Sequence, residues 1–256
     1  MKQLRKRPVF LSADWHNLLF ANYVIDPKVL TPFVPEGTNL NYHNGSCYIS
    51  VVAFQFLNTK VFGFPAFTNR KFAEINLRFY VKRRLPDGSE RSGVVFVKEI
   101  VPSRLIAWTA RTLYGENYIA MDMDHQITAI SNQEKEVIYR CGVQELSNRI
   151  SAVVSQERAT NGNGTLEAYI TEHYWGYSGT DQNSTVEYEV KHPKWPVNRI
   201  NDCSIDFDFE SLYGTPFRLL SEIEPTSVLY CKGSDITVHF GTKISCLLYT
   251  SPSPRD

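Results

Sequence analysis

The sequence predicts a mainly β protein, a single antiparallel barrel, closed or nearly closed, with two or three short helices. Three observations lead there. Phe72 to Val81 alternates without a fault, with Ile75, Leu77, Phe79 and Val81 on one face and Glu74, Asn76, Arg78 and Tyr80 on the other. Apolar runs of strand length recur between turn signals along most of the chain, about a dozen in all. Finally, 256 residues at 43% hydrophobic are enough to bury one large all-β core, and no internal repeat, heptad or low-complexity tract points to another architecture.

In chain order, Phe10 to Ile25 reads as a first strand. Asp26-Pro27 supplies a cap and a proline for a short helix over Pro27 to Phe33. Asn44-Gly45 sits between Leu40-Asn41-Tyr42 and Ser46 to Leu57 and predicts a hairpin. Thr59 to Phe67, rich in Gly, Pro and Phe, reads as a loop across a barrel mouth. Pro86-Asp87-Gly88 turns the central strand into Gly93 to Ile100, and Pro102 ends that pairing.

Leu105 to Leu113, Asn117 to Met123, Ile127 to Ile130 and Glu136 to Gln144 read as further strands, and Ser155 to Gly164 as a surface loop. Thr165 caps a short helix running to Tyr174. Val186 to Lys191, Cys203 to Glu210, Ser227 to Cys231 and Asp235 to Phe240 complete the β pattern. The last stretch, Cys246 to Asp256, back-translates in one frame into a transposase adapter used in short-read library preparation. It is expected to be a translated artefact of an environmental or shotgun assembly, leaving residues 1–245 as one domain with a native C-terminus beyond Ser245.

Charge narrows the partners. Lys+Arg and Asp+Glu balance at 27 each, so no net field draws in nucleic acid or an anionic membrane. No run approaches the roughly 18 apolar residues of a membrane span. Cys47, Cys141, Cys203 and Cys231 show no pairing pattern, and a reducing cytoplasm is expected. Phosphate loops, dinucleotide fingerprints and a GxSxG elbow are missing, and the six histidines stand alone. No metal and no cofactor are expected.

The chemistry that remains is the polar row of the central strand. On an open sheet it would be a solvated face; inside a barrel it lines a lumen, with Glu74 as a general acid or base and Arg78, together with Arg111, as a clamp for a planar anion. Asn76 is a further candidate ligand-binding residue, Tyr114, Tyr118, His173 and Tyr174 are candidates to orient a ligand, and Trp195 between Pro193 and Pro196 reads as a plug at a barrel end.

Leu11-Ser-Ala-Asp-Trp-His16, Pro32-Phe-Val-Pro-Glu-Gly37, Ser50-Val-Val-Ala-Phe54, Glu74 to Val81, Gly93-Val-Val-Phe-Val97 and His192-Pro-Lys-Trp-Pro196 occur in that order. Together they resemble the YqjF-like family of bacterial proteins, a domain of unknown function, over Leu11 to Lys243. The resemblance implies an acetoacetate decarboxylase-like β barrel with an internal cavity. In acetoacetate decarboxylases a lysine forms a Schiff base beside a second lysine that lowers its pKa. Their Glu-Ile…Pro-Lys-Lys-Leu motif corresponds here to Glu99-Ile-Val-Pro102-Ser103-Arg104-Leu105, so Ser103 stands where the nucleophile belongs and Lys98 is the nearest lysine.

The leading expectation is a barrel that binds a small polar or carboxylate metabolite through Arg78 and Glu74, as a monomer or homo-oligomer. The alternatives are a lyase or hydrolase acting on a keto acid with Glu74 as acid/base, and a partner-binding protein whose polar row is solvated.

Overall fold

The computed structural model describes residues 7–66, 71–108, 117–143, 146–159, 162, 164–181 and 184–244. Its first half is built from four long strands. They are β1 (Val9–Val24), β3 (Tyr48–Val61), β5 (Phe72–Arg84) and β6 (Glu90–Val101), with the short β2 (Asn39–Leu40) and β4 (Phe64–Pro65) between them. Then follow β7 (Tyr118–Ala120), β8 (Asp122–Ala129), β9 (Glu134–Gly142) and β10 (Asn148–Arg158). The last strands are β11 (Trp175–Asp181), β12 (Ser184–Lys191), β13 (Val197–Asp206), β14 (Ser227–His239) and β15 (Thr242–Ile244). Helical segments are α1 (Pro27–Leu30), a turn at 104–108 (α2), α3 (Leu166–Thr171) and α4 (Phe209–Tyr213).

The strands run β12-β11-β6-β5-β3-β1-β14, and β12 pairs back onto β14 through Val190↔Val238 and Lys191↔Thr237, so this part is a ring. The expected closed or nearly closed antiparallel barrel holds in part, as a ring of strands. The ring is not evenly disposed about one axis, because β14 forks. Its Ser227–Cys231 half pairs with β13 on the side away from β1, and its far half pairs with β12. Gly233 sits at the fork with φ +90°, where a Cβ would collide with the carbonyl oxygen of Trp15. Beyond β13, the strands β10, β9 and β8 continue as a wing. Most pairs are antiparallel, but β6 pairs in parallel with β11 and with β7.

Two apolar clusters result. One fills the inside of the ring with Phe20, Val52, Phe54, Phe56, Tyr80 and Trp195 among others. The second lies between the outside of the ring and the wing. It holds Ile75, Leu77, Phe79 and Val81 of β5 with Tyr139 of β9, Ile150 of β10 and Phe209 of α4. β3 is therefore buried on both faces from Tyr48 to Phe56, and β5 from Ala73 to Val81 apart from a half-buried Arg78.

Most expected elements are present. Asp26 accepts from the Lys28 amide at 2.9 Å to cap α1, and Thr165 accepts from the Ala168 amide at 3.3 Å to cap α3. Other expectations fail for local reasons. Asn44 and Gly45 do form a tight turn with φ of 49° and 80°, but it closes only the bridge His43↔Ser46, and Leu40 pairs with Val81 of β5 instead.

The supposed loop at Thr59 is strand up to Val61, turned by Phe62 and Gly63 into β4. The expected strand from Leu105 is helical over 104–108. Pro102 ends β6, the Ser103 carbonyl accepts from the Ala107 amide at 3.1 Å, and Arg104, Leu105 and Ala107 favour helix. β10 was not expected at all, and it consumes the first part of the supposed surface loop. Cys203–Glu210 splits into the end of β13 and the start of α4, while the two expected strands near the end are one, β14. Residues 245–256 lie outside the described residues.

Candidate functional site

The polar row of β5 faces into the ring. Glu74 and Asn76 are 2% and 1% exposed, so the row is not a solvated face. It lines a pocket of about 350 Å³. Strand register explains the neighbours: Glu74 lies opposite Phe54 of β3, Asn76 opposite Val52 and Arg78 opposite Ser50. One step further along β5, Phe72 lies opposite Phe56, which lies opposite Trp15 of β1.

A β-bulge in β6 decides what the other wall offers. Leu77 pairs with Lys98 but Arg78 pairs with Phe96, so Val97 is the extra residue. Strict alternation from Phe96 would place Lys98 in the pocket. The bulge instead returns Glu99 to the pocket, opposite Asn76, and sends Lys98 outward. There Lys98 donates to the Leu212 carbonyl and lies over the Tyr213 ring, 5.9 Å from its centroid. No lysine is among the described residues lining the pocket, and neither is Ser103, whose neighbours Leu105 and Ile106 are.

Glu74 accepts from the Asn76 amide at 2.9 Å and from the Tyr118 hydroxyl at 3.4 Å. Burial, opposed by those two bonds and by the Arg78 charge, pushes its carboxyl up to about 7. Tyr118 is itself hydrogen-bonded to Glu99 as well, and burial with the two glutamates holds its phenol far above its usual range. The result is a pair of buried carboxyls, Glu74 and Glu99, joined through one phenol. Two such buried groups side by side resist double ionisation.

Arg78 donates to the Ile170 carbonyl of α3 at 3.1 Å, and its guanidinium carbon lies 5.3 Å from the Phe20 ring centroid and 5.7 Å from that of Tyr80. Its Nε is buried without a partner. His173, just after α3, packs on Tyr80 at 4.7 Å and Tyr169 at 5.3 Å between ring centroids. Its ring nitrogens have no better than weak contacts with the backbone of Ile170 and Tyr169. Burial first, then the charges of Arg78 and His192, drive its pKa down to about 3, so the imidazole is neutral. Asn76 Oδ1 and Trp15 Nε1 are likewise buried and unpartnered.

Of the residues singled out in the sequence, Glu74, Asn76, Arg78, Tyr118 and His173 come together around one pocket. Arg111 and Tyr114 lie outside the described residues. Tyr174 packs at a tilt against His192, ring centroids 4.9 Å apart, and does not line the pocket. Trp195 lines it, stacked on His192 at 3.9 Å with its Nε1 bonded to Ser234 Oγ at 2.8 Å. Sequence reasoning missed Glu99 as a site residue, because only the bulge brings it inward. No group of three His, Cys, Asp or Glu among the described residues is placed to hold a metal, and no described helix is long and apolar enough to cross a membrane.

Comparison with known proteins fits this geometry. Residues 12–235 match the profile of the uncharacterised conserved protein family DUF2071. The uncharacterised protein YqjF of Bacillus subtilis (strain 168) is 27% identical over 189 residues, 71% of this chain and 72% of its own length. Among solved structures, the enduracididine biosynthesis enzyme MppR complexed with pyruvate superposes with a TM-score of 0.65 at 13% identity, over 95% of this chain and 93% of that one. An acetoacetate decarboxylase-like enzyme from Sphingomonas wittichii RW1 gives a TM-score of 0.63 at 14% identity, with 93% and 94% covered. Acetoacetate decarboxylase from Legionella pneumophila gives a TM-score of 0.61 at 11% identity, with 96% and 91% covered. At these identities the structures share a fold with this chain.

Proposed function

Because the chain belongs to the uncharacterised DUF2071 family, its function has to be read from its pocket, and we propose that this pocket binds a small carboxylate metabolite. The observation that carries the reading is that Asn76, Arg78 and His173 bring buried polar atoms without partners to one lumen. A buried polar atom left unpaired costs about 1–3 kcal/mol, and a ligand that pairs it recovers that cost. Arg78 is the cation of the group, and its planar fork suits a carboxylate.

Glu74 does not oppose the anion below about pH 7, where it carries a proton and serves as a hydrogen-bond donor. Among the described residues of the lining, Schiff-base decarboxylation has no lysine to run on.

A thermal-shift screen of wild type against Arg78→Ala, with keto acids, hydroxy acids and phosphorylated metabolites, tests the reading. A bound ligand at a hundred times its Kd adds about 2.7 kcal/mol to wild type. The variant is expected to lose at least about tenfold in affinity, the usual cost of a charged hydrogen bond. Equal shifts in both proteins, or none in either, would sink the assignment.

A second reading follows from Glu74 and Glu99 sharing Tyr118. With its carboxyl pushed up to about 7, Glu74 can give or take a proton near neutrality, as a lyase or hydrolase acting on a keto acid would need. Turnover that persists in Glu74→Gln would exclude Glu74 from that role.

A further inference from the structure

The pocket wall carries both signs of charge, and they are not bonded to each other. Arg78 donates to the Ile170 carbonyl at 3.1 Å, while Glu74 is held by the Asn76 amide at 2.9 Å and by Tyr118. Glu99 of β6 stands opposite Asn76 in the register, so a second carboxyl lies level with the side chain next to Arg78 on this face. Arg78 is the one Lys or Arg among the described residues of the lining, against two buried carboxyls.

Asn76 stands between the two signs. It is 1% exposed, its amide nitrogen is taken by Glu74, and its Oδ1 has no donor. A buried acceptor left over beside two carboxyls calls for a donor from the ligand, and a positively charged donor suits it best.

Spacing sets how far that donor lies from the carboxylate. Alternate side chains on a strand are about 7 Å apart. In an α-amino acid the ammonium and carboxylate hang from one carbon, about 3 Å apart, and a hydrogen bond of about 3 Å at each end extends the reach to roughly 9 Å. One such group therefore spans Arg78 and Asn76, and Glu74, bonded to the same amide, acts on the ammonium through its charge. Val52 lies opposite Asn76 and Phe96 opposite Arg78, so the side chain that fits beside them is apolar.

We infer that the ligand is a zwitterionic α-amino acid with an apolar side chain, its carboxylate at Arg78 and its ammonium donating to Asn76 Oδ1 beside Glu74 and Glu99. This rests on the carboxylate reading above and adds the ligand class to it. A 2-keto acid brings no donor to Asn76, and a 2-hydroxy acid brings one without charge.

The same arrangement has a pH signature. Around Glu74 are Arg78 on its own strand, Glu99 on β6, Tyr118 on β7, and His173 and His192, which line the same pocket. Burial lowers both histidines and raises Tyr118, which leaves the carboxyls to change charge across neutrality. An ammonium favours the ionised carboxyl, so an amino acid binds more tightly as pH rises through about 7, and an acid without the ammonium more weakly.

Isothermal titration of the full chain with matched sets tests this without any substitution. Alanine, valine, leucine and phenylalanine are each compared with the corresponding 2-keto acid, 2-hydroxy acid and amino-acid amide. In the set that binds best, the amino acid is expected to bind at least about tenfold more tightly than each of the other three. From about pH 6 to 8 its affinity is expected to rise up to about tenfold, as a carboxyl of pKa about 7 ionises.

A keto or hydroxy acid that matches its amino acid overturns the amino-acid class and leaves the carboxylate site standing. Amino-acid binding that weakens over that pH range overturns the class as well, because it takes the ammonium away from Glu74. An amide that matches its amino acid overturns the carboxylate reading, and no binding in any set overturns both.

Discussion

Glu74 carries an unusual burden for a strand residue, since it is a carboxyl 2% exposed whose bonds to Asn76 and Tyr118 do not offset its desolvation. The groups facing it are Asn76 and Arg78 on its own strand, Glu99 on β6 and Tyr118 on β7. A carboxyl whose folded pKa is about 7, above its unfolded 4.5, binds more protons when folded between those values. Its contribution to stability is therefore complete below about pH 4.5 and is lost as pH rises through 7. Glu74→Gln, which stays neutral, is expected to be more stable than wild type at pH 8 by on the order of 1–3 kcal/mol, with the gap closing by pH 5. Urea denaturation at the two pH values measures it. A variant less stable at pH 8 than at pH 5, relative to wild type, would show that Glu74 is well solvated or paired.

The bulge in β6 and the fork in β14 are the elements that shape the pocket. Were Val97 paired in regular register rather than bulged, alternation from Phe96 would put Lys98 inside and Glu99 outside, and the chemistry of the wall would be inverted. The fork depends on Gly233, whose φ of +90° and contact with the Trp15 backbone leave no room for a methyl group. Gly233→Ala is expected to cost more than about 2 kcal/mol, strain and collision together. Thermal unfolding reads the loss, and an unchanged midpoint would mean that β1 and β14 separate there without cost.

At the scale of the whole molecule, closing the ring brings charges together from distant parts of the chain. Glu187 of β12, fully buried, takes Arg7 at 2.9 Å, Arg83 of β5 at 2.7 Å and Arg91 of β6 at 2.6 Å, with the Tyr177 hydroxyl at 3.2 Å. Burial raises its pKa, but the bonds and charges of the arginines outweigh that and leave it lowered. Its stabilisation is present above the ordinary glutamate range and is lost as pH falls through the depressed value. Glu187→Gln leaves three arginines facing one another and is expected to cost about 3–5 kcal/mol at pH 7, as for other broken buried pairs. Chemical denaturation checks it; a loss under about 1 kcal/mol would mean that water reaches the cluster, for which the partly exposed arginines give some opening.

The elements were largely legible in the sequence because period, caps and turn residues are local properties. β5, the Asp26 and Thr165 caps and the turn after Arg84 all follow from a few neighbouring residues. β10 was hidden because its polar end, Ser155 to Arg158, is strand only by virtue of pairing with β9 and β13. The 104–108 turn looked like strand because Leu105 and Ile106 are apolar in either conformation.

By itself the sequence determined that β5 has an apolar and a polar face, and that Glu74, Asn76 and Arg78 share the latter. Only the tertiary structure decided that both faces are buried: the wing covers one, and the ring encloses the other. Alternation states which side chains share a face, not what covers it, and a single bulged residue changes which of Lys98 and Glu99 that face will meet.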